Sequence, residues 1–139
     1  MKLAKISSSC RFELGEIRML EDPKVLIVDD DSETRKLLQA ILTSYEMEVT
    51  LCENATEALL SVMGGTYDYI IIDYRMPGMN GIELVRRLRE ILPPMTVIIG
   101  MSSEDISRQF LLAGANDFVL KPFVPYNVAM MIDGRDMLL

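Results

Sequence analysis

Histidine is absent from all 139 residues. That excludes histidine acid/base catalysis, histidine metal ligands and a phosphohistidine formed on this chain. Cysteine is scarce. Cys10 and Cys52 are the only two; they make neither a zinc spacing nor a disulfide framework, and they fit a reduced, cytoplasmic setting. Long apolar runs are missing too, since none approaches the ~18 residues of a membrane span. Lys2 and Lys5 are not followed by an apolar stretch, so no signal peptide is expected. Basic residues are in deficit, 14 against 21 acidic, for a net charge of -7. In residues 1–22, Lys2, Lys5, Arg11 and Arg18 balance Glu13, Glu16, Glu21 and Asp22, so the whole excess lies in residues 23–139. That argues against direct nucleic-acid binding, which needs a basic patch, and it favours solubility.

The chain does have enough apolar residues, 50% of the total, to build the core of one domain. Residues 1–22 carry no motif and read as an N-terminal extension of unknown role. Pro23 marks the boundary of a regular domain over 23–139. Val25-Leu26-Ile27-Val28 is a buried-strand run that ends in Asp29-Asp30-Asp31. Ser32 is placed to cap a helix with Leu37, Leu38, Ile41, Leu42 and Tyr45 at helical spacing. Glu48 to Cys52 reads as a second strand. Asn54 with Glu57 resembles a capping box for a helix ending at Gly64-Gly65. Tyr69 to Ile72 is a third strand, ending on Asp73. Pro77-Gly78 and Asn80-Gly81 break it, and Ile82, Leu84, Val85 and Leu88 give the next helix, which stops at Pro93-Pro94. Thr96 to Met101 is a fourth strand. Ser103 is a candidate cap for a helix burying Ile106, Phe110 and Leu111 and closing at Gly114. Asp117 to Lys121 is a fifth strand, and a last helix starts near Pro125. Its run Val128-Ala129-Met130-Met131-Ile132 is apolar on every side, which suits either a core or a contact face such as a homodimer.

Five strands alternating with five helices predict an α/β, doubly wound parallel sheet with helices on both faces. In such a fold the strand ends form one crevice. Here they would bring together Asp29, Asp30, Asp73, Ser102 and Lys121. Three carboxylates in one crevice repel one another unless a cation joins them. Mg2+ suits an all-oxygen site with few carboxylates. A carboxylate can attack a phosphoryl group to give an acyl phosphate, while a lysine and a hydroxyl steady the phosphoryl oxygens.

Val28-Asp29-Asp30-Asp31-Ser32, the run Asp73-Tyr74-Arg75-Met76-Pro77-Gly78-Met79-Asn80-Gly81, and Lys121-Pro122-Phe123 resemble the three signatures of the response-regulator receiver domain. The likeness spans about residues 24–132. It implies the flavodoxin-like (βα)5 fold with strand order 2-1-3-4-5. It implies that Asp73 accepts a phosphoryl group from a sensor histidine kinase or phosphotransfer protein. It also implies that Asp30 binds Mg2+ directly, Asp29 through water, and the backbone carbonyl of Arg75 as a further ligand, the Arg side chain being incidental. Ser102 and Phe118 would be the switch pair, Lys121 the site lysine, and Lys121–Pro122 a cis bond. The output domain or target is not named by the residues. One departure stands out. The 19 positions from Ser102 to Lys121 are fewer than the family has, so the loop and helix after Ser102 should be short.

Three other readings compete. Asp29-x-Asp31 after a strand resembles the nucleophile motif of haloacid-dehalogenase-type aspartyl phosphatases, although no downstream acidic pair or cap domain accompanies it. A receiver-like binding module without phosphorylation is the second, and the intact site residues speak against it. A flavodoxin relative is the third, disfavoured because carboxylates at the first strand end would repel a flavin phosphate.

Overall fold

The computed structural model describes residues 22–137. Its elements alternate strictly: β1 (Lys24–Val28), α1 (Ser32–Ser44), β2 (Glu48–Cys52), α2 (Ala55–Gly64), β3 (Tyr69–Asp73), α3 (Gly81–Ile91), β4 (Val97–Ser102), α4 (Ser107–Ala113), β5 (Asp117–Leu120) and α5 (Pro125–Met137). The five strands form one parallel sheet in the order β2-β1-β3-β4-β5. The doubly wound fold with this order is therefore the one expected.

The inner strands are apolar almost throughout because both sheet faces are covered. Side chains alternate along each strand. Leu26, Val28, Ile70, Ile72 and Ile98 enter one core, with α2, α3 and Phe110 of α4. Val25, Ile27, Ile71, Ile99 and Met101 enter the other, with Leu38 and Leu42 of α1 and Val128, Ala129 and Ile132 of α5. In-register pairing, Val28 beside Ile72 and Asp73 beside Met101, sets the strand ends level. Lys121 N–H donates to the Ser102 carbonyl (2.8 Å) and Tyr74 N–H to the Met101 carbonyl (2.8 Å), which pulls the loops after β3 and β5 toward β4.

Several local expectations need correction. Asp31, not Ser32, caps α1. Its Oδ2 accepts the Thr34 N–H (3.3 Å) and hydroxyl (2.6 Å), so Ser32 becomes the first helical residue. Ser103 caps nothing: α4 starts four residues later, at Ser107, with no side-chain cap bond. In its short helix Phe110 is buried but Leu111 points outward. Leu37 also lies outside, because Leu38 and Leu42 set the buried stripe of α1. In α5 the apolar run serves the core on one side and leaves a residue outside on the other: Val128, Ala129 and Ile132 face the sheet with Asp133 buried beside them, and Met130 looks out. The Asn54–Glu57 cap formed as expected, with the Glu57 N–H donating to Asn54 Oδ1 (2.8 Å). The segment after Ser102 is short as expected, α4 having 7 residues. Residues 1–21 of the N-terminal extension lie outside the described residues.

Candidate functional site

Four strand ends supply one cluster at the carboxyl rim of the sheet. β1 runs straight into Asp29, which is fully buried, and Asp30, which is exposed. β3 ends on Asp73, 5% exposed, and β4 on Ser102, 2% exposed. Lys121 follows β5, and its bond to Pro122 is cis. One carboxylate oxygen from each of Asp29, Asp30 and Asp73 lies within 4.8 Å of the others.

Lys121 organises this cluster. Its Nζ stands 2.8 Å from Asp73 Oδ1 and 3.1 Å from Asp29 Oδ2. Asp29 Oδ1 accepts the Asp31 N–H (2.9 Å), so both oxygens of that buried side chain are engaged. Its backbone carbonyl accepts from Arg35 Nη1 (2.7 Å). Asp30, at the rim, remains accessible. This division fits a direct ligand at Asp30 and a more remote one at Asp29.

Burial pushes the Asp73 carboxyl up from 3.8 to about 6. The Lys121 bond opposes that rise, while the negative charges of Asp29 and Asp30 add to it. Burial draws the Lys121 ammonium down, yet Asp73 and Asp29 outweigh it and hold the value above normal. The cluster therefore carries more negative charge than one lysine settles. A divalent cation with a preference for oxygen ligands fits that donor set.

Backbone shape brings Asp73 within reach of the following loop. A Cβ on Gly81 would collide with the Asp73 carbonyl oxygen. Only glycine lets α3 begin this close, with Asn80 capping the helix through the Glu83 N–H (3.0 Å). The stretch Asp30, Tyr74, Arg75, Met76, Pro77 and Asn80 lines a cavity of about 390 Å3 at the mouth of the site.

All the expected site residues are here together: Asp29, Asp30, Asp73, Ser102 and Lys121, with Arg75 at the rim. Phe118 is half-buried on β5 beside them in the sheet, its ring 5.6 Å from that of Phe110. Sequence reasoning missed three partners. Phe110 bridges Tyr74 (6.3 Å) and Phe118, and a Cβ on Gly100 would strike its ring; a glycine inside a strand was the available signal. Arg89 binds the carbonyls of Thr96 and Gly114 (both 2.8 Å) and fastens the turn after α4 to α3. The Arg75 side chain is not incidental either: it forms an ion pair with Glu104 across the mouth and lies over the Tyr74 ring.

A flavodoxin-like sheet whose rim holds three carboxylates and a lysine defines a class of doubly wound domain with an acidic cluster at its strand ends that could hold a metal ion. Residues 25–133 match the model of the response regulator receiver domain family, and the chain belongs to that family. It is 33% identical over 112 residues to the transcriptional regulatory protein ResD of Bacillus subtilis, covering 80% of this chain and 47% of ResD. It is 42% identical over 115 residues to the two-component response regulator ORR6 of Oryza sativa, covering 77% of this chain and 67% of that protein. Among solved structures, the receiver domain of Francisella response regulator 1452 superposes with a TM-score of 0.74 at 28% identity, over 83% of this chain and 99% of the other. The Vibrio cholerae chemotaxis protein CheY4 gives 0.75 at 27% identity, over 81% and 98%. The chain spans about half the length of ResD. It is thus a receiver domain of the two-component response-regulator type, a signalling domain and not a classical enzyme, and the phosphatase and non-phosphorylated binding-module readings are not favoured.

Proposed function

We propose that Asp73 is the phosphoacceptor and that Asp29, Asp30, Asp73 and the Arg75 carbonyl hold Mg2+. The observation that carries this reading is the buried Asp73 carboxylate paired with Lys121 at 2.8 Å beside two further carboxylates. A bound Mg2+ would neutralise the carboxylates and offset the charge of an arriving phosphoryl group. An Asp73 carboxylate oxygen attacks phosphorus; the new bond is P–O, and the bond broken is the P–N of a donor phosphohistidine, whose imidazole keeps that bond's electron pair and takes a proton from solvent as it leaves. Lys121 then moves its charge from Asp73 Oδ1 toward the phosphoryl oxygens, and the Ser102 hydroxyl supplies a neutral donor. Phe118 follows Ser102 inward, so that a local charge change biases a two-state element. The domain catalyses only its own phosphorylation and dephosphorylation.

The phosphodonor is a sensor histidine kinase or a phosphotransfer protein, and the acceptor of the signal is an output domain or target protein. Relatives support both partners: one is named as the Vibrio vulnificus sensor kinase/phosphatase LuxQ, 34% identical over 102 residues, and one solved structure is a response regulator/GGDEF protein. Residues 23–139 form the receiver domain, with 1–22 as an extension, and the setting is cytoplasmic. Any homodimer through α5 would use its outward residues Tyr126 and Met130, because Val128, Ala129 and Ile132 are buried; light scattering with and without beryllofluoride reads that.

Incubation with acetyl phosphate and Mg2+, followed by peptide mass mapping, tests the assignment. One phosphoryl group on the peptide containing Asp73, lost in Asp73→Ala, supports it. Label on Asp29 would instead favour the haloacid-dehalogenase reading.

A further inference from the structure

Ser102 is held in its resting orientation by its own loop. Its Oγ accepts the Glu104 N–H at 3.0 Å, a bond that fixes the hydroxyl within its own loop. Glu104 is in turn held from the side chain outward: its carboxylate pairs with the Arg75 guanidinium, which belongs to the loop after β3. The Arg75 guanidinium also rests 5.5 Å from the centre of the Tyr74 ring. The two loops that flank Asp73 are therefore tied across the mouth of the cavity by one ion pair between residues 29 positions apart. The same tie keeps the Glu104 N–H where it holds Ser102.

We propose that the Arg75–Glu104 ion pair is a latch that positions Ser102 in its resting orientation and opposes its rotation toward phosphorylated Asp73. The proposal rests on the phosphoacceptor reading above. Moving the Ser102 hydroxyl to a phosphoryl oxygen leaves the Glu104 N–H without its acceptor unless the loop shifts to expose it to water. The ion pair resists that shift. Arg75 and Glu104 are positioning residues, since they act through Ser102 and not on the reacting atoms. Both side chains are substantially exposed, 66% and 47%, so the latch is weak and salt-sensitive. A weak latch suits a switch: it biases the resting state without locking it.

The test measures beryllofluoride affinity in Mg2+ for the unaltered protein, Arg75→Gln, Glu104→Gln and the double variant. Plain electrostatics gives opposite signs for the two single changes: loss of the cation weakens anion binding, and loss of the carboxylate strengthens it. The latch gives the same sign for both, a tightening of roughly two- to five-fold, the range open to an exposed pair. The double variant binds no tighter than the better single one, because either change opens the latch. The advantage of the variants shrinks at high salt, where the pair is already screened. In a Ser102→Ala background the electrostatic signs return, because nothing remains to be released. Arg75→Gln weakening the affinity while Glu104→Gln strengthens it overturns the latch, as does no change in either. Failure of the unaltered protein to bind beryllofluoride overturns the phosphoacceptor reading itself, and the latch with it.

Discussion

Asp73 is a residue on which burial and charge act together. Its folded value of about 6 lies above the ordinary 3.8, so between those two pH values the metal-free folded protein keeps a proton that the unfolded chain has released. The stability contributed by this group is fully present below about pH 4 and is lost as pH rises through about 6. Magnesium-free unfolding of the unaltered protein and of Asp73→Asn should therefore diverge over that interval. The unaltered protein loses stability relative to the variant as pH rises, and the gap closes when Mg2+ is added; parallel curves would remove burial as the cause. The carboxylates and Lys121 could be recognised in the linear chain because each ends a strand, and strand ends meet in this fold. The side chain of Arg75 could not. Its partner Glu104 is 29 positions away, and no local pattern records a contact made only by tertiary folding. The cap of α1 was misassigned for a related reason. Asp31 and Ser32 are adjacent and both are competent caps; only the position of Thr34 decides between them.

At the level of elements, the strands and the helices over residues 24–137 were readable from period and punctuation, and the starts of α1 and α4 were not. The loop after β4 holds Ser103 away from any helix start, because α4 is reduced to 7 residues anchored by Phe110 inside and by Arg89 at its far end. Gly100→Ala should show how tightly that anchor fits. The new methyl meets the Phe110 ring, so thermal or urea unfolding should show a loss of about 1–3 kcal/mol, with Phe110→Leu in the same chain recovering part of it. A neutral Gly100→Ala would mean that α4 has room to move. The end of α1 offers the opposite case. Glu46 adopts φ 63°, with its N–H on the Thr43 carbonyl (2.9 Å) and the Met47 N–H on the Leu42 carbonyl (3.1 Å), the closing pattern that glycine prefers. Glu46→Gly should stabilise the protein by roughly 0.5–1 kcal/mol, the left-handed strain relieved less the extra freedom of an unfolded glycine. Urea midpoints check it.

For the whole molecule, the two cores on either side of the sheet make a rigid frame, and the rim is where stability gives way to function. Three acidic side chains gathered there repel one another, and a bound divalent ion would offset that repulsion. The sequence has no histidine, and Cys10 and Cys52 make no metal-binding spacing, which leaves oxygen ligands as the means of capture. Thermal unfolding followed during titration with Mg2+ and then beryllofluoride is the most direct probe of this dependence. The account predicts that Mg2+ raises the melting temperature, and that beryllofluoride raises it further only when Mg2+ is present and Asp73 is intact. A melting temperature indifferent to both, or a beryllofluoride shift that survives in Asp73→Ala, would contradict it.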